Sequence, residues 1–577
     1  MASVAEQMVR MLRDSGVRRI YGIVGDSLNP IVDAVRRTEG IDWVHVRHEE
    51  TAAFAAAAEA QVTGKLAVCA GSCGPGNLHL INGLYDAHRS GAPVLAIASH
   101  IPSAQIGSGF FQETHPDRLF AECSHFSELA SQPEQMPRLL RVAMQTAVGR
   151  RGVSVLSISG DVAERRAPVA GAPKVALVTP NPVVPPAGQI ADLATLLNDS
   201  DRVMIFAGAG CAHAHDEVME LASRLAAPVG HSLGGKEWIQ YDNPFDVGMS
   251  GLLGYGACYD AMHEADLVLL LGTDFPYDTY LPQARTVQVD TDLAALGRRT
   301  PLELAVHGDV RSTIDALLSQ LRNRSDRSFL DHMLREHARS LERVVSAYTT
   351  KIENRTPIHP EYAADILDEV AGDDTVFTVD TGMGNVWAAR YLTPNGRRRV
   401  IGSFRHGSMA NALPHAIGAA LAEPGRQVVS ISGDGGLAML MGDLLTLAAY
   451  DIPVKVVLFN NASLGMVKLE MLVDGLPDYQ TDHAPVNFSA IATACGINSV
   501  RVEDPAQIRD ALAKAFAQPG PALVELVTDP NAMSMPPKIT GEMVRGFALA
   551  ASKTVLSGGV GKMINLARSN VRNVPRP

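Results

Sequence analysis

One stretch, residues 428–461, constrains the fold of this chain more than any other. It begins with an apolar run at 428–431, of the kind that forms a buried strand in a parallel sheet. A glycine turn at 433–436 and an amphipathic segment follow, and then a second apolar run, 454–459, ends at Asn460-Asn461. The pattern predicts a strand–helix–strand unit whose two strands are parallel.

Asp434 and Asn461 follow the ends of these two strands, 27 positions apart (461 − 434). Because the carboxyl ends of parallel strands lie at one edge of a sheet, we expect the two side chains to be close together. A carboxylate and an amide oxygen beside a helix N-terminus suit a magnesium diphosphate. A Gly-Asp-Gly turn alone is ordinary turn chemistry, so this prediction depends on the pairing of the two strand ends.

Length and charge narrow the class of protein. A chain of 577 residues is too long for one core and predicts about three domains. Its net charge of −12 argues against a nucleic-acid partner. Six scattered cysteines favour reduced thiols, and His213 and His215 lack a third zinc ligand nearby in the sequence. The N-terminal 20 residues have no secretory layout, so we expect a cytoplasmic protein.

Alternating strands and helices predict an α/β fold with doubly wound parallel sheets. The segment from Gly76 to Pro93 repeats the turn–helix–proline–strand order of the segment from Gly435 to Pro453, over 17 and 18 positions respectively. We therefore expect the first and last domains to be two versions of one module. A proline-rich linker occupies 166–188. The predicted units are an N-terminal domain 1–180, a central domain 181–340, a C-terminal domain 341–530 and a helical tail 531–577.

The glycine turn and the Asn-Asn pair together resemble the magnesium motif of the thiamine-diphosphate enzyme family, with 24 residues between Gly435 and Asn460. The resemblance implies that Asp434 and Asn461 bind Mg²⁺ through side chains and Ser463 through its carbonyl. It also implies cofactor contacts from a larger set in this domain: Gly407, Ser408, Met409, Gly435, Gly436, Ala462, Leu464, Gly465, Met466 and Val467.

Two further matches support the resemblance. Glu49, after a strand and before an alanine-rich helix, matches the glutamate that contacts the aminopyrimidine ring, although acids at a helix N-terminus are common without any such role. Glu50 has no assigned role. Met409 resembles the bulky residue that bends the cofactor, and Gly407 would offer its carbonyl to the amino group; the simpler alternative for Met409 is a core side chain.

Within the family, the chain resembles most the bacterial pyruvate:quinone oxidoreductases, through stretches such as YGIVGDSLNP, HIPSAQIGSGFFQETHP and GSFRHGSMANALPHAIGA. This resemblance implies FAD in the central domain. The implied FAD contacts are Ser250, Gly251, Leu252, Leu253, Thr273, Asp274, Phe275, Pro276, Tyr277 and Asp290. Phe111, Gln112, Val467 and Glu470 resemble residues that line the substrate side of the thiazolium ring.

The implied reaction is the oxidative decarboxylation of pyruvate to acetate and CO₂, with electrons passed to FAD and then to a membrane quinone. Alternatives are an acetolactate synthase-type carboligase, an oxygen- and phosphate-dependent pyruvate oxidase, and a non-catalytic subunit that kept the fold. In this family the cofactor lies between two subunits, which implies a homodimer at least and a tetramer as the expected assembly.

The last segment, 541–577, is basic, with six Lys or Arg and one acid. Val560, Met563, Ile564, Ala567 and Val571 form an apolar stripe at helical spacing, bordered by Lys562, Arg568 and Arg572. A terminal helix docked on the body would produce this pattern. A helix lying on an anionic lipid surface would also do so, and the resemblance favours this second interpretation, with the protein peripheral on the inner face of the cell membrane.

Overall fold

Three sheets, one in each of three consecutive domains, form the framework of the chain. The computed structural model describes residues 2–168, 175–533, 541–556, 560–570 and 572. All strand pairs except one are parallel, and helices cover the sheets. The predicted α/β class with three parallel-sheet domains and a helical C-terminal segment is confirmed.

The first domain has six strands in the order β2-β1-β3-β4-β6-β5. The strands are β1 (Arg19–Gly22), β2 (Asp42–His45), β3 (Ala67–Gly71), β4 (Val94–His100), β5 (Phe126–Ala130) and β6 (Val153–Ser159). The helices are α1 (Val4–Asp14), α2 (Asn29–Arg36), α3 (Glu49–Thr63), α4 (Pro75–Arg89), α5 (Pro116–Leu119), α6 (Met136–Arg150) and α7 (Gly160–Glu164).

The middle domain has seven strands in the order β10-β9-β8-β7-β11-β12-β13, and only β10 pairs antiparallel. The strands are β7 (Val203–Ala207), β8 (Val229–His231), β9 (Asp246–Met249), β10 (Tyr255–Gly256), β11 (Leu267–Leu271), β12 (Arg285–Asp290) and β13 (Leu304–His307). The helices are α8 (Ala187–Asn198), α9 (His215–Leu225), α10 (Leu233–Ile239), α11 (Cys258–Glu264), α12 (Val310–Leu317) and the connecting α13 (Ser328–Arg343).

The last domain has six strands in the order β15-β14-β16-β17-β19-β18. The strands are β14 (Val376–Val379), β15 (Arg399–Gly402), β16 (Val428–Gly433), β17 (Val454–Asn460), β18 (Asn498–Val502) and β19 (Ala522–Val527). The helices are α14 (Pro360–Val370), α15 (Met383–Tyr391), α16 (Ala412–Ala422), α17 (Asp434–Leu440), α18 (Leu444–Ala449), α19 (Gly465–Val473), α20 (Phe488–Ala494) and α21 (Ile508–Phe516). Two tail helices follow, α22 (Gly541–Leu556) and α23 (Val560–Asn570).

The first and last domains share one topology. If the six strands of each are numbered along the chain, both sheets have the order 2-1-3-4-6-5. The prediction that the two domains are versions of one module is therefore confirmed. The carboxyl ends of the strands in such a sheet form the edge where ligands bind in doubly wound folds.

The two modules pack through α3 and α16, which are rich in small residues. A Cβ atom on Gly418 would lie 2.0 Å from the carbonyl oxygen of Ala55, so only glycine allows the two helices to approach this closely. His415 on α16 and Asp86 on α4 pair across the same interface at 3.1 Å, and both side chains are fully buried. The two modules of one chain thus share a single continuous core.

Two expectations about local structure differ from what the chain adopts. The predicted helix from 437 to 450 is divided into α17, a 3-10 turn at Met441–Asp443 and α18. The turn places the Asp443 carboxylate where it accepts hydrogen bonds from the Arg47 amide and the Thr51 hydroxyl of the first domain. The predicted linker 166–188 has no helix or strand over 175–186, and α8 begins at Ala187 within its predicted bounds; residues 169–174 lie outside the described part of the chain.

Candidate active site

The parallel pairing of β16 with β17 brings Asp434 to the turn that contains Asn461. Gly433 is in register with Phe459, so both strands end at the same level of the sheet edge. Asp434 is buried, and its carboxylate accepts hydrogen bonds from the backbone amides of Gly435 and Ala462. The two ends of the 428–461 stretch therefore meet through a direct contact.

Burial raises the pKa of Asp434 to about 6, although the two amides and the nearby His483 ring oppose the shift. A buried carboxylate with few counter-charges is costly in its ionised form. A divalent cation at this position would remove that cost, which is the electrostatic behaviour expected of a metal ligand.

The turn after β17 separates the two asparagines. Asn460 donates through its side-chain amide to Glu525 and to the carbonyl of Val486, so it holds the sheet edge together. The Oδ1 atom of Asn461 accepts the Ser463 amide at 3.0 Å and retains a second lone pair. Ala462 between them has φ +50°, which closes the turn tightly.

A third strand end completes this edge, and the sequence reasoning did not identify it. A Cβ atom on Gly436 would overlap the Asp380 carboxylate at 1.6 Å, and one on Gly465 would lie 2.9 Å from the Met383 side chain. Among the described residues, Thr381 Oγ1 and Asn385 Oδ1 are buried without a hydrogen-bond partner. The β14–α15 connection thus presents a helix N-terminus and the unpaired Thr381 hydroxyl, which can donate a hydrogen bond, beside Asp434 and Asn461, as an anion site would.

Burial also raises the pKa of Asp380 to about 7, against hydrogen bonds from the Thr381, Ala410, Gly433 and Asn411 amides. The carboxyl therefore ties the ends of β14 and β16 to the turn before α16. The signal that could have found it is the Asp-Thr-Gly that follows the apolar run 376–379.

Met409 lies beside the glycine turn. Its Cε atom is 3.3 Å from the position of a Cβ on Gly435. The backbone around it is unusual, with φ +76° at Gly407 and +69° at Ala410, and Ser408 bonds through its hydroxyl to Asn82 of α4. The turn at 407–410 therefore places the Met409 side chain beside Gly435, next to Asp434.

Glu49 is the first residue of α3, and its carboxylate is buried. Oε2 lies 2.9 Å from His79 Nδ1, and Oε1 lies 3.0 Å from the position of a Cβ on Gly76. Gln112, at φ +62°, packs its backbone against Gly74 of the same loop. His79 was not predicted, since a lone histidine on a helix gives no signal by itself.

The remaining substrate-side residues divide between two domains. Phe111 is 77% exposed, next to Gln112, and Val467 is 42% exposed on α19. Glu470, one turn further along α19, acts electrostatically on Tyr277 of the middle domain. Glu49, Phe111 and Gln112 thus belong to the first domain, while Val467 and Glu470 lie beside the loops of the middle domain.

Those loops carry the residues predicted to hold FAD. Ser250 is buried and its Oγ atom has no partner among the described residues. Asp274 is paired with Arg298 and Arg299, two cations that the sequence reasoning missed. Gly251 lies against the rings of Phe275 and Tyr277, and Leu253 packs against the hydrophobic core of the last domain. Burial raises the pKa of Asp290, at the end of β12.

The glycine turn 208–210 of this domain approaches the backbone at Gly272 and Thr273 closely, and glycines that permit close approach are typical of phosphate-binding loops. A Cβ on Gly208 would lie 2.4 Å from Thr273, and one on Gly210 would lie 2.6 Å from Gly272. With the two arginines and the unpaired Ser250 hydroxyl, the residues present fit an anionic dinucleotide.

The tail helices dock on α19. Leu472, Met533, Ala550 and Leu566 form one buried cluster, and Met563 packs against it. Ile564 and Ala567 of the predicted apolar stripe are exposed, Val571 lies outside the described residues, and the side chain of Val560 is not described. Lys562 pairs with Asp478 at 2.5 Å. No helix among the described residues has the length and apolar character needed to cross a bilayer.

Comparison with known proteins identifies all three domains. Residues 2–119 match the family description "thiamine pyrophosphate enzyme, N-terminal TPP binding domain". Residues 190–317 match its central domain, and residues 380–526 match its C-terminal TPP binding domain. The three matches follow the order of the three sheets.

Relatives extend over nearly the whole chain. The thiamine pyrophosphate-containing protein YdaP of Bacillus subtilis is 36% identical over 572 residues, 98% of either chain. The pyruvate oxidase of Lactiplantibacillus plantarum is 30% identical over 532 residues, 90% of this chain and 87% of the relative. An acetolactate synthase of Mycobacterium bovis is 29% identical over 551 residues, 92% and 89%. Identity therefore does not separate the oxidase from the carboligase.

Proposed function

Since this chain belongs to the thiamine pyrophosphate enzymes, we propose that it catalyses the oxidative decarboxylation of pyruvate with Mg²⁺ and FAD as further cofactors. The balanced reaction is pyruvate, water and a quinone giving acetate, CO₂ and the quinol. Pyruvate as substrate is supported by the kinship with a pyruvate oxidase.

The last domain would hold the diphosphate and its magnesium. Asp434, Asn461 and the Ser463 carbonyl supply oxygen ligands, and the N-termini of α17 and α15 supply backbone amides. The raised pKa of Asp434 fits the cation, and the unpaired Thr381 hydroxyl can donate a hydrogen bond to a phosphate oxygen. When bound, thiamine diphosphate supplies the nucleophilic carbon that attacks the keto group of the substrate.

Glu49 would hold a proton at the aminopyrimidine end. Its burial restricts the carboxylate to partners that face it, and His79 keeps one oxygen oriented through the 2.9 Å contact. An oriented carboxyl in a water-poor site can exchange a proton with a ring nitrogen over a short, fixed distance. Gly76 leaves room for this approach because any side chain there would contact Oε1.

One observation carries the redox part of the proposal: the predicted FAD loops lie against the helix that follows the magnesium turn. Glu470 of α19 acts electrostatically on Tyr277, and Leu253 packs against the hydrophobic core of the last domain. When bound, FAD accepts two electrons. Because Glu470 is on α19, the loops 250–253 and 273–277 that would hold this acceptor border the domain that would hold the thiamine diphosphate.

A second copy of the chain would complete the site. Glu49 makes its contacts with α4 and the Gly71–Gly76 turn of the first domain, whereas Asp434 makes its contacts within the last. Around these half-sites Leu78, Met439 and Leu445 are 44–60% exposed, which suits burial by a partner. We therefore propose a homodimer as the minimal active unit and a tetramer as the assembly.

The acceptor proposed for the flavin is a membrane quinone, reached from the cytoplasmic side by a peripheral protein. The tail carries the exposed apolar side chains Leu549, Val555 and Ile564 together with basic residues. This combination suits an anionic lipid surface.

Anaerobic addition of pyruvate to the holoenzyme tests the reaction. We expect the oxidised flavin absorbance to bleach and a soluble quinone to restore it. A flavin that stays oxidised while acetolactate accumulates would support the carboligase alternative and overturn the redox proposal. Acetyl phosphate formed with oxygen and phosphate would instead indicate the phosphate-dependent oxidase.

A further inference from the structure

Three potential metal ligands converge at the start of α3. His48, Glu49 and His79 each offer one ligand atom, and these atoms lie within 4.8 Å of one another. The two imidazole rings stack with centroids 4.4 Å apart at an interplanar angle of 25°. We propose that the three side chains form a site for Zn²⁺, and that zinc and the thiamine cofactor exclude one another there. The exclusion rests on the proposed role of Glu49.

The ligand set selects zinc over magnesium. Zn²⁺ takes imidazole nitrogen and carboxylate oxygen at about 2.0–2.2 Å, and three protein ligands leave one position open. Mg²⁺ favours an all-oxygen, octahedral shell, which two imidazoles do not provide. The cluster is therefore chemically distinct from the Asp434–Asn461 edge. Glu49 Oε2 and His79 Nδ1 are joined by a 2.9 Å hydrogen bond, and a zinc ion bound to both atoms would replace the proton between them.

Local structure brings the three residues together and leaves them accessible. His48 is the N-cap of α3, Glu49 follows it, and His79 lies in the first turns of α4, which packs on α3. Glu49 is 7% exposed, whereas the side chain of His79 is 46% exposed. An ion can therefore enter past His79 and reach the buried carboxylate.

Binding has a local cost that shapes the expected affinity. His48 Nδ1 now accepts the Glu50 amide at 3.1 Å, and coordination by this ring competes with that cap. The stacked rings must also rotate so that their lone pairs converge. His79 already contacts Glu49 at 2.9 Å, which makes His79 and Glu49 the principal ligands and His48 the third.

The position of Glu49 determines how bound zinc would affect the thiamine cofactor. A carboxylate that coordinates zinc cannot at the same time hydrogen-bond to the aminopyrimidine ring. Zinc therefore acts as a reversible inhibitor that competes with the thiamine cofactor, and excess cofactor should displace it.

Titration calorimetry of the protein freed of thiamine cofactor tests the site, with Zn²⁺ as ligand, Co²⁺ as a spectroscopic probe and excess Mg²⁺ present to occupy the Asp434–Asn461 edge. We expect one zinc per chain and a cobalt spectrum with nitrogen ligands. His79→Gln should weaken zinc binding by at least about tenfold, since loss of an outer-sphere partner alone costs about that much. His332→Gln is the matched control, because His332 faces a single carboxylate, Glu264, at 4.0 Å.

Equal zinc affinity in the wild-type and His79→Gln proteins would overturn the site. Zinc binding that depends on His79 but is unaffected by saturating thiamine diphosphate and Mg²⁺ would overturn the mutual exclusion. Neither measurement requires turnover. Failure of the proposed function would instead show as absent pyruvate-dependent flavin reduction in zinc-free holoenzyme, so the two failures are distinguishable.

Discussion

Glu49 and Glu50 are neighbours at the first turn of α3, yet their carboxylates serve different domains. Glu49 contacts His79 at 2.9 Å within the first domain. Glu50 accepts a hydrogen bond from Asn82 Nδ2, and that nitrogen also donates to the Ser408 hydroxyl beside Met409 of the last domain. Successive residues of a helix point about 100° apart, which allows one to face a site and the other an interface. Glu50, which had no assigned role, is a structural link.

This difference gives the first prediction. Glu49→Gln removes the exchangeable carboxyl proton while keeping size and polarity, so turnover should fall by at least about 10²-fold, the usual weight of general acid–base catalysis. Cofactor binding should remain near that of the wild type. Glu50→Gln is the matched control: its amide oxygen can still accept from Asn82, and activity should change little. Steady-state rates and cofactor titration measure both, and unchanged turnover in Glu49→Gln would contradict the role of Glu49.

Gly436 gives a prediction about the diphosphate edge. A Cβ there would overlap Asp380, whose carboxylate is fixed by four backbone amides and cannot withdraw. Gly436→Ala should therefore destabilise the protein by about 1–3 kcal/mol, as overpacking does, and weaken magnesium-dependent cofactor binding. Gly433→Ala is the control for stability, because a Cβ at Gly433 meets open space and its φ is −87°. Equal thermal midpoints for the two variants would count against this account.

The sequence predicted the Asp434–Asn461 proximity because strand direction and strand ends can be inferred from apolar runs. The rule that parallel strands end at one edge needs no knowledge of the rest of the chain. Asp380 and Met383 reach the same edge from β14, some 50 residues earlier, and their contacts depend on which strand is the neighbour of β16. Strand order is a property of the whole sheet, so the Asp-Thr-Gly after the apolar run 376–379 does not by itself show that Asp380 lies beside Asp434.

His79 and the tail illustrate a second limit. His79 reaches Glu49 because α4 packs on α3 at one rotation, which a helical periodicity alone does not define. In the tail, the periodicity of the apolar stripe predicts a helix, and residues 560–570 are helical. However, α23 buries Leu566 and leaves Ile564 of the stripe exposed. The face of a helix that becomes buried depends on the surface it packs against, here that of α19. The sequence of the helix alone does not specify that surface.

Acid should destabilise the fold through buried histidines. Burial lowers the pKa of His231 to about 4, and the ring is fully buried in the middle domain. Below about pH 6.5 the His231 ring of the unfolded chain binds a proton that the folded chain does not bind until about pH 4, so the contribution of His231 to the free energy of unfolding falls as the pH drops through that window. One such group accounts for about 3 kcal/mol.

Urea unfolding between pH 4.5 and 7.5 measures this loss. His231→Asn should be less stable at neutral pH but should lose less stability on acidification than the wild type. The exposed His332→Asn should follow the wild-type curve. The comparison with His231→Asn is decisive because the buried carboxyls Asp380 and Asp434, whose pKa is raised, stabilise the fold on acidification and oppose the effect of His231. An equal pH dependence of the free energy of unfolding in the wild type and His231→Asn between pH 6.5 and 4.5 would contradict the assignment of His231 as a neutral, buried ring.

The last prediction concerns the tail. Truncation before Gly541 should abolish binding to anionic liposomes, because it removes six basic residues and the exposed apolar side chains Leu549 and Ile564.

Truncation also uncovers Leu472 on α19, so a loss of activity would be ambiguous. Ile564→Ser avoids this difficulty: the side chain is 46% exposed, and its removal should weaken liposome binding while α23 stays docked through Leu566 and Lys562. Leu566→Ser is the contrasting variant, expected to undock the helix. Co-sedimentation with vesicles and flavin reduction by pyruvate separate the two effects, and a truncated protein that still sediments with vesicles would refute the role of the tail.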